Sequence, residues 1–189
     1  MANLTWKPGN MLYPLPVVLV SCGNSPENYN VFTVAWTGTI CSDPPMVSIS
    51  VRKERHSHQL ISQSGEFVIN LTTEALVRAT DWCGVKSGRD VNKWKEMNIT
   101  PIPSQTVAAP AVAESPVSIE CKVTQVLELG THDMFLAKVT AVRVDDQYVD
   151  PATGAFELEK AKPICYSHGK YYTVGKFLGK FGFSVQKKK

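Results

Sequence analysis

The sequence predicts one mainly β domain, an antiparallel barrel, closed or half closed, with a few helices. Three observations carry that expectation. Short β-branched runs follow one another with turn residues between them and few helical stretches, so neighbouring strands pair antiparallel and the sheet curls on itself. A chain of 189 residues, 43% of them hydrophobic, can bury one sizeable core without disulfide or metal support, which fits a single domain over residues 1–189. No internal repeat and no low-complexity linker divides the chain.

VVLVSCG (17–23) is a short β-branched strand, and NSPENYN turns after it. VFTVAWTGTI (31–40) reads as a second strand, rich in threonine, valine and tryptophan. SDPP reverses the chain into MVSISV (46–51), whose alternation sets Val47, Ile49 and Val51 on one face and Met46, Ser48 and Ser50 on the other. HQLISQSG (58–65) has a helical pattern with Gly65 where a C-cap sits, and EFVINL (66–71) is a fourth strand.

TEALVRATDWCG (73–84) predicts a helix, with Leu76, Ala79 and Thr80 at helical spacing and Gly84 as its stop. SGRDVNKWKEMN (87–98) is a loop leading into a short helix that Asp90 can cap. From Pro101 to Pro116, prolines among alanine, serine and valine argue for an extended, irregular connection. VSIECKVTQVLELG (117–130) and DMFLAKVTAVRVDD (133–146) form a long hairpin around Gly130; KPICYSHGKYYTVG (162–175) and a QKKK tail close the chain.

Several function classes fall away. The net charge of +3 and a pI near 8.6 are too mild to argue for nucleic acid, since twenty basic residues face seventeen acids. No apolar run reaches the ~18 residues that a membrane helix needs, and MANLTWKPGN lacks a secretory layout, so no membrane partner is expected. Five cysteines, odd in number, widely spaced and without CxxC, indicate neither a disulfide frame nor a zinc site and point to a reducing cytoplasm. None of the four histidines has metal-ligand spacing, so no metal is expected. G-x-S-x-G and GxGxxG are both missing, which removes a serine-hydrolase elbow and a Rossmann nicotinamide site.

The most informative stretch is RKERHSH (52–58), where a strand that should be buried runs into clustered positive charge. Its plain reading is a solvated loop. The other reading is an anion site. Ser57 opens the helical segment at an N-cap position, helix N-termini offer free N–H groups to an anion, and Arg52, Lys53 and Arg55 bring charge to the same place. Small and hydroxyl residues at Thr33, Ala35, Thr37 and Gly38 would let a flat ring approach the neighbouring strand closely, whereas an ordinary barrel strand would put Trp36 in the core.

The succession FTVAWTGTICSDPPMVSISVRKERHSHQLISQSGEFVINL (32–71) resembles the flavin reductase-like family of FMN-binding split-barrel proteins, and the resemblance extends roughly from Pro14 to Val142. DWCGVKSGRDVNKW resembles, within that family, the flavoredoxins, which carry a CG-x-x-SGRD-x-x-K element. The resemblance implies an FMN-binding split β-barrel with Greek-key antiparallel topology. It also implies FMN bound without a covalent bond. Asn30, Thr33, Val34, Ala35, Trp36 and Thr37 would border the ring. Ser50, Val51 and Arg52 would line the ring and ribityl chain. Ser57, with Lys53 and one of His56 and His58, would hold the phosphate, and Lys93 would reach the flavin. His132, in GTHDMF, matches the histidine of a GDH-type turn, although Thr131 stands where the family has an acid.

The function implied is flavoredoxin-like electron transfer or NAD(P)H-dependent flavin reduction, with NAD(P)H or a redox protein as the candidate donor. The alternative is a flavin-binding or storage module without turnover. Relatives of this kind are homodimers with the flavin near the interface, so a homodimer is implied. Cys83 reads as a small buried hydrophobe rather than a reactive thiol, and His168 is either a pocket-closing group or a loop residue.

Overall fold

The structure is a computed structural model and describes residues 3–185. The QKKK tail therefore lies outside the described residues. In chain order the elements are β1 (Leu15–Pro16), β2 (Val18–Cys22), β3 (Asn30–Val34), β4 (Thr37–Ser42), β5 (Pro45–Arg52), α1 (His56–Ser64) and β6 (Glu66–Leu71). There follow α2 (Val77–Val85), α3 (Lys93–Met97), β7 (Pro101–Ile102), β8 (Ala111–Val112), β9 (Val117–Leu129), β10 (His132–Val144), β11 (Ile164–Ser167) and β12 (Lys170–Thr173). The mainly β, antiparallel architecture is the one expected.

A seven-stranded sheet runs in the order β3-β2-β6-β9-β10-β5-β4, with every pairing antiparallel. Its two edge strands, β3 and β4, are consecutive in sequence and separated only by Ala35 and Trp36. Two residues span only about 7 Å even when extended, so the edges must meet and the sheet must curl into a barrel. The Ser50 N–H donates to the Trp36 carbonyl at 2.8 Å and pins that corner.

This corner corrects the sequence expectation that 31–40 is one strand. β-Propensity is unbroken through VFTVAWTGTI, but Thr37 N–H bonds back to the Ala35 carbonyl at 3.1 Å and the chain changes edge there. No glycine or proline marks the turn, because barrel closure rather than local preference makes it.

β2 is buried along its whole length because both faces are covered. Val18, Val20 and Cys22 point into the barrel beside Phe67, Ile49 and Phe135; Leu19 points outward beneath α2 and α3, beside Leu76, Cys83 and Trp94. Each fully buried side chain of this size contributes about 1.5–3 kcal/mol. On β5 the predicted alternation holds, with Val47, Ile49 and Val51 buried in the barrel. β9 and β10 form the expected hairpin, and Gly130 takes φ +73 in its turn.

The helices differ from expectation in three details. The 73–84 segment opens as a single 3-10 turn, Glu74–Leu76, before α2 begins. Gly84 does not stop α2 but lies inside it: a Cβ there would come within 3.2 Å of the Thr33 Cβ, so glycine serves close packing of helix on strand. Asn92, not Asp90, caps α3, accepting from Lys95 N–H at 3.1 Å. Asn92 immediately precedes the first helical residue, and Asp90 lies two residues too early.

A second, three-stranded sheet of β1, β11 and β12 packs beside the barrel corner. Ile164 N–H bonds to the Thr72 carbonyl at 3.2 Å and joins it to the end of β6. No helix among the described residues is long and apolar enough to cross a membrane.

Candidate functional site

α1 starts where the positive strand end turns back. Arg55 N–H bonds to the Arg52 carbonyl at 3.1 Å and His58 N–H to the Arg55 carbonyl at 3.0 Å. The helix thus begins two residues before the sequence suggests: Arg55 is the N-cap, without a side-chain cap, and Ser57 lies inside the first turn. That corrects the N-cap expectation for Ser57. Its hydroxyl is buried and accepts from Asn30 Nδ2 at 2.8 Å.

Across from this turn, the loop after α2 brings Lys86, Ser87, Gly88 and Arg89 over the helix start. Together with Arg52, Arg55, His56 and Lys93 they enclose a basic cavity of about 460 Å³. Arg89 is tied to the turn, donating to the Glu54 carbonyl at 3.2 Å. A Cβ on Gly88 would sit 2.2 Å from Asn30 Oδ1, so only glycine lets this loop come so close to the strand.

Two groups in this cavity are tuned by burial. The Lys93 ammonium is almost fully buried, donates to the Cys83 carbonyl at 2.8 Å, and has its pKa lowered to about 8, chiefly by desolvation. His56 is held below its ordinary value, again chiefly by burial, with Arg89 and Lys93 adding to the effect. His56 Nδ1 is buried and has no hydrogen-bond partner among the described residues, which is costly unless something fills that place.

A larger cavity of about 610 Å³ adjoins the first and shares Phe32, Arg52 and Arg55 with it. One wall is the barrel corner: Thr33, Val34, Ala35, Trp36, Ser50 and Val51. The facing wall is built from Asp81, Gly84 and Val85 of α2 with Tyr166 and Tyr171 of the small sheet, and Thr131 and His132 close one end. Trp36 and His132 lie nearly parallel, 11° apart, with ring centroids at 6.4 Å. Trp36 is 41% exposed at the rim rather than in the core.

Most of the residues singled out from the sequence meet here. Thr33 to Trp36, Ser50 to Arg52 and His132 line the larger cavity, and His56, Ser57 and Lys93 line the basic one. Thr33 nevertheless spends its hydroxyl on the Thr80 carbonyl, anchoring α2. Asn30 lies behind Ser57 and orients it. Two residues lie elsewhere. Thr37 donates to the Ser48 carbonyl at 2.8 Å and borders a different cavity, and Lys53 pairs with Glu128 at 2.9 Å and Asp133 at 3.3 Å, away from both.

Of the paired histidines, His56 faces the basic cavity while His58 turns away to Asp133, 2.7 Å off, with its ring edge on Phe135. His168 sits in the β11–β12 turn with its ring against Tyr13 at 4.2 Å and lines neither cavity. Burial pushes the Cys83 thiol up to about 11 and Cys22 to about 12, so neither is a thiolate near neutral pH.

Sequence reasoning passed over Arg89, Lys86 and Ser87 as ligand groups, although they stand in the SGRD element, and it missed the wall formed by Asp81, Tyr166 and Tyr171. The element's cationic content was the available signal for the first set. Nothing local signals the second, because residues some 90 positions apart meet only through packing of the small sheet, as in the Tyr171–Asp81 hydrogen bond of 3.0 Å.

Comparison with known proteins converges on one family. The flavin reductase like domain model matches residues 10–175. A flavoredoxin of Desulfovibrio vulgaris (Miyazaki F) superposes with a TM-score of 0.90 at 30% identity, covering 98% of this chain and 100% of that one. A flavoredoxin from Methanosarcina acetivorans gives 0.86 at 26% identity with the same coverage. An uncharacterised protein of Archaeoglobus fulgidus is 30% identical over 163 residues, 86% of this chain and 89% of its own. The chain belongs to the flavin reductase-like family, which ties it to flavin-related redox function.

Proposed function

We propose that the protein is an FMN-binding redox flavoprotein, with the phosphate in the basic cavity and the ring in the adjoining aromatic one. The observation that carries this reading is the buried His56 Nδ1, without a partner among the described residues, at the wall of a cavity with five lysine and arginine side chains and one glutamate. Arg52, Arg55, Lys86, Arg89 and Lys93 offer donors suited to a phosphate dianion, and a lone dianion matches that excess better than water does. Gly84 and Gly88, at positions where a Cβ would collide, keep the walls close enough to grip a flat, narrow ligand. The donor set therefore fits FMN.

Bound FMN supplies two-electron redox chemistry at the N5 side of its ring. The chain's own contribution is placement and charge. Ser57, oriented by Asn30, and Arg89 hold the phosphate end. Arg52 and Arg55, shared by both cavities, carry positive charge between the two ends, which favours a negatively charged ligand. Phe32, Val34, Val51 and Trp36 exclude water from one side of the aromatic cavity, while the rim at Trp36 and Asp81 stays open for a redox partner. That open rim favours electron transfer or reduction by NAD(P)H over a storage module, which needs no access.

A homodimer in the cytoplasm accompanies this reading. Large apolar side chains stand exposed at both ends of the described chain, including Trp6 and Leu12 near one end and Phe177, Leu178 and Phe181 near the other. Such apolar area on a monomer is characteristic of an interface.

The test is an absorbance spectrum of freshly purified protein followed by anaerobic addition of NADH and NADPH. Flavin bands near ~375 and ~450 nm are expected from the bound cofactor. Bleaching by a nucleotide favours a reductase, and persistent colour with both favours a carrier reduced by a protein or a module without turnover. Protein that is colourless and fails to take up added FMN contradicts the reading.

A further inference from the structure

A charged cluster at one end of the barrel lies outside both cavities, and the flavin reading leaves it unused. On β10, Asp133, Phe135 and Ala137 pair with Val51, Ile49 and Val47 of β5, so Asp133 continues the inward face of two core residues. It is only 6% exposed. An apolar side chain would fill that place at less cost than a carboxylate, which must be compensated when buried. The compensation comes from α1 and the turn before it. His58 Nε2 lies 2.7 Å from Asp133 Oδ2, and Lys53 Nζ lies 3.3 Å from Oδ1, with Glu128 of β9 on its other side at 2.9 Å. Burial works against the charge, but His58 and Lys53 outweigh it and hold the Asp133 carboxyl below its ordinary value. Oδ1 accepts no hydrogen bond among the described residues, so His58 supplies the directional contact to this carboxylate.

The pair bridges the two ends of the site. His58 follows Ser57, which lines the basic cavity, and Asp133 follows His132, which closes one end of the aromatic cavity. Adjacent strand residues point to opposite faces, so fixing Asp133 inward fixes His132 outward, where its ring lies nearly parallel to Trp36. Thr131 Oγ1, 2.9 Å from His132 Nδ1, steadies that ring further.

We propose that the His58–Asp133 hydrogen bond is a positioning strut: it ties the start of α1, at the phosphate end, to the start of β10, and so holds His132 against Trp36 at the ring end. This deepens the flavin reading of the same site and rests on it. Lys53 and Glu128 balance the charge, while the His58 ring is braced edge-on against Phe135, with centroids 5.3 Å apart. Apolar packing at both positions would preserve the barrel, but it would not fix the direction between the helix start and the hairpin.

The test compares His58→Gln, whose amide N–H can still reach Asp133, with His58→Leu, which fills the space and cannot. Two readouts are taken. One is proton NMR of the apoprotein, where the Trp36 indole displaces the His132 ring signals, identified by their loss in His132→Gln. The other is titration with FMN and riboflavin. His58→Leu should move the His132 signals toward those of a free imidazole and weaken both flavins alike by about tenfold, as for one lost hydrogen bond to a charged group. His58→Gln should keep the signals, and both affinities within about threefold of wild type. The double variant His58→Leu with Asp133→Leu should keep its thermal midpoint within a few degrees and still show the His58→Leu losses. Wild-type signals and affinities in His58→Leu, or equal defects in the Gln and Leu variants, overturn the strut. So does a loss confined to FMN, which would place the pair at the phosphate end, and so does a collapsed midpoint in the double variant, which would mean that the pair holds the fold. The apoprotein signals need no flavin, so the two levels separate: a wild type that takes up neither flavin sinks the redox reading, and undisturbed signals in His58→Leu sink the strut alone.

Discussion

The two adjoining cavities solve opposite problems. The basic cavity is built from buried or tethered groups: Ser57 beneath Asn30, Lys93 on the Cys83 carbonyl, Arg89 on the Glu54 carbonyl. Its charges are in place before any ligand arrives, and burial keeps Lys93 poised near neutrality. The aromatic cavity is built from rings at a rim, with Trp36 partly exposed and Tyr171 reaching in from a separate small sheet. The first arrangement suits holding and the second suits exchange. Preorganised charge is strong because it needs no rearrangement, and an open aromatic mouth lets a second molecule approach.

The comparison breaks first at Arg89. Arg89→Ala should weaken FMN about a hundredfold and leave riboflavin, which lacks the phosphate, unchanged; this corresponds to losing one charge-assisted interaction. Fluorescence titration with both flavins reads it, and equal losses for the two would place Arg89 at the ring instead.

Ser57→Ala should cost about tenfold in FMN affinity with an unchanged thermal midpoint within a few degrees. A collapse of the midpoint would mean that the Asn30–Ser57 pair holds the fold rather than the ligand.

Lys93 predicts a pH dependence whose sign is fixed. Its free-state pKa is about 8, lowered by burial, and a bound dianion raises it, so binding takes up a proton above that value. FMN affinity should be level near pH 7 to 8 and fall above about 8, by up to about tenfold per unit. Riboflavin should show no such fall, and Lys93→Met should flatten the FMN curve. A wild-type curve that stays flat from pH 8 to 9.5 contradicts this role.

The smallest effect belongs to the rim. Trp36→Ala should weaken FMN and riboflavin alike by about fivefold, in keeping with loss of one aromatic face. A loss confined to FMN would mean the two cavities were assigned the wrong ends.

How much of this was legible in the sequence follows the range of the forces involved. The β5 alternation, the Gly65 stop and the hairpin around Gly130 were readable because each depends on a few neighbouring residues. The corner at Ala35–Trp36 was not, since closure of the barrel makes it and the local residues favour a straight strand. Lys53 shows the same limit at the site. Its charge sits in the basic run, but Glu128 and Asp133 on the long hairpin draw it away from the cavity. The Asp81–Tyr171 wall depends on the docking of a whole sheet, and no short pattern announces it.

The most direct test of the central claim is a side-by-side titration of the apoprotein with FMN and riboflavin at pH 7. If the basic cavity holds the phosphate, FMN binds at least about a thousandfold more tightly, the product of the hundredfold expected at Arg89 and the tenfold expected at Ser57. Equal affinities for the two flavins would contradict the account, because the positive charge at the strand end would then have no part in holding the ligand.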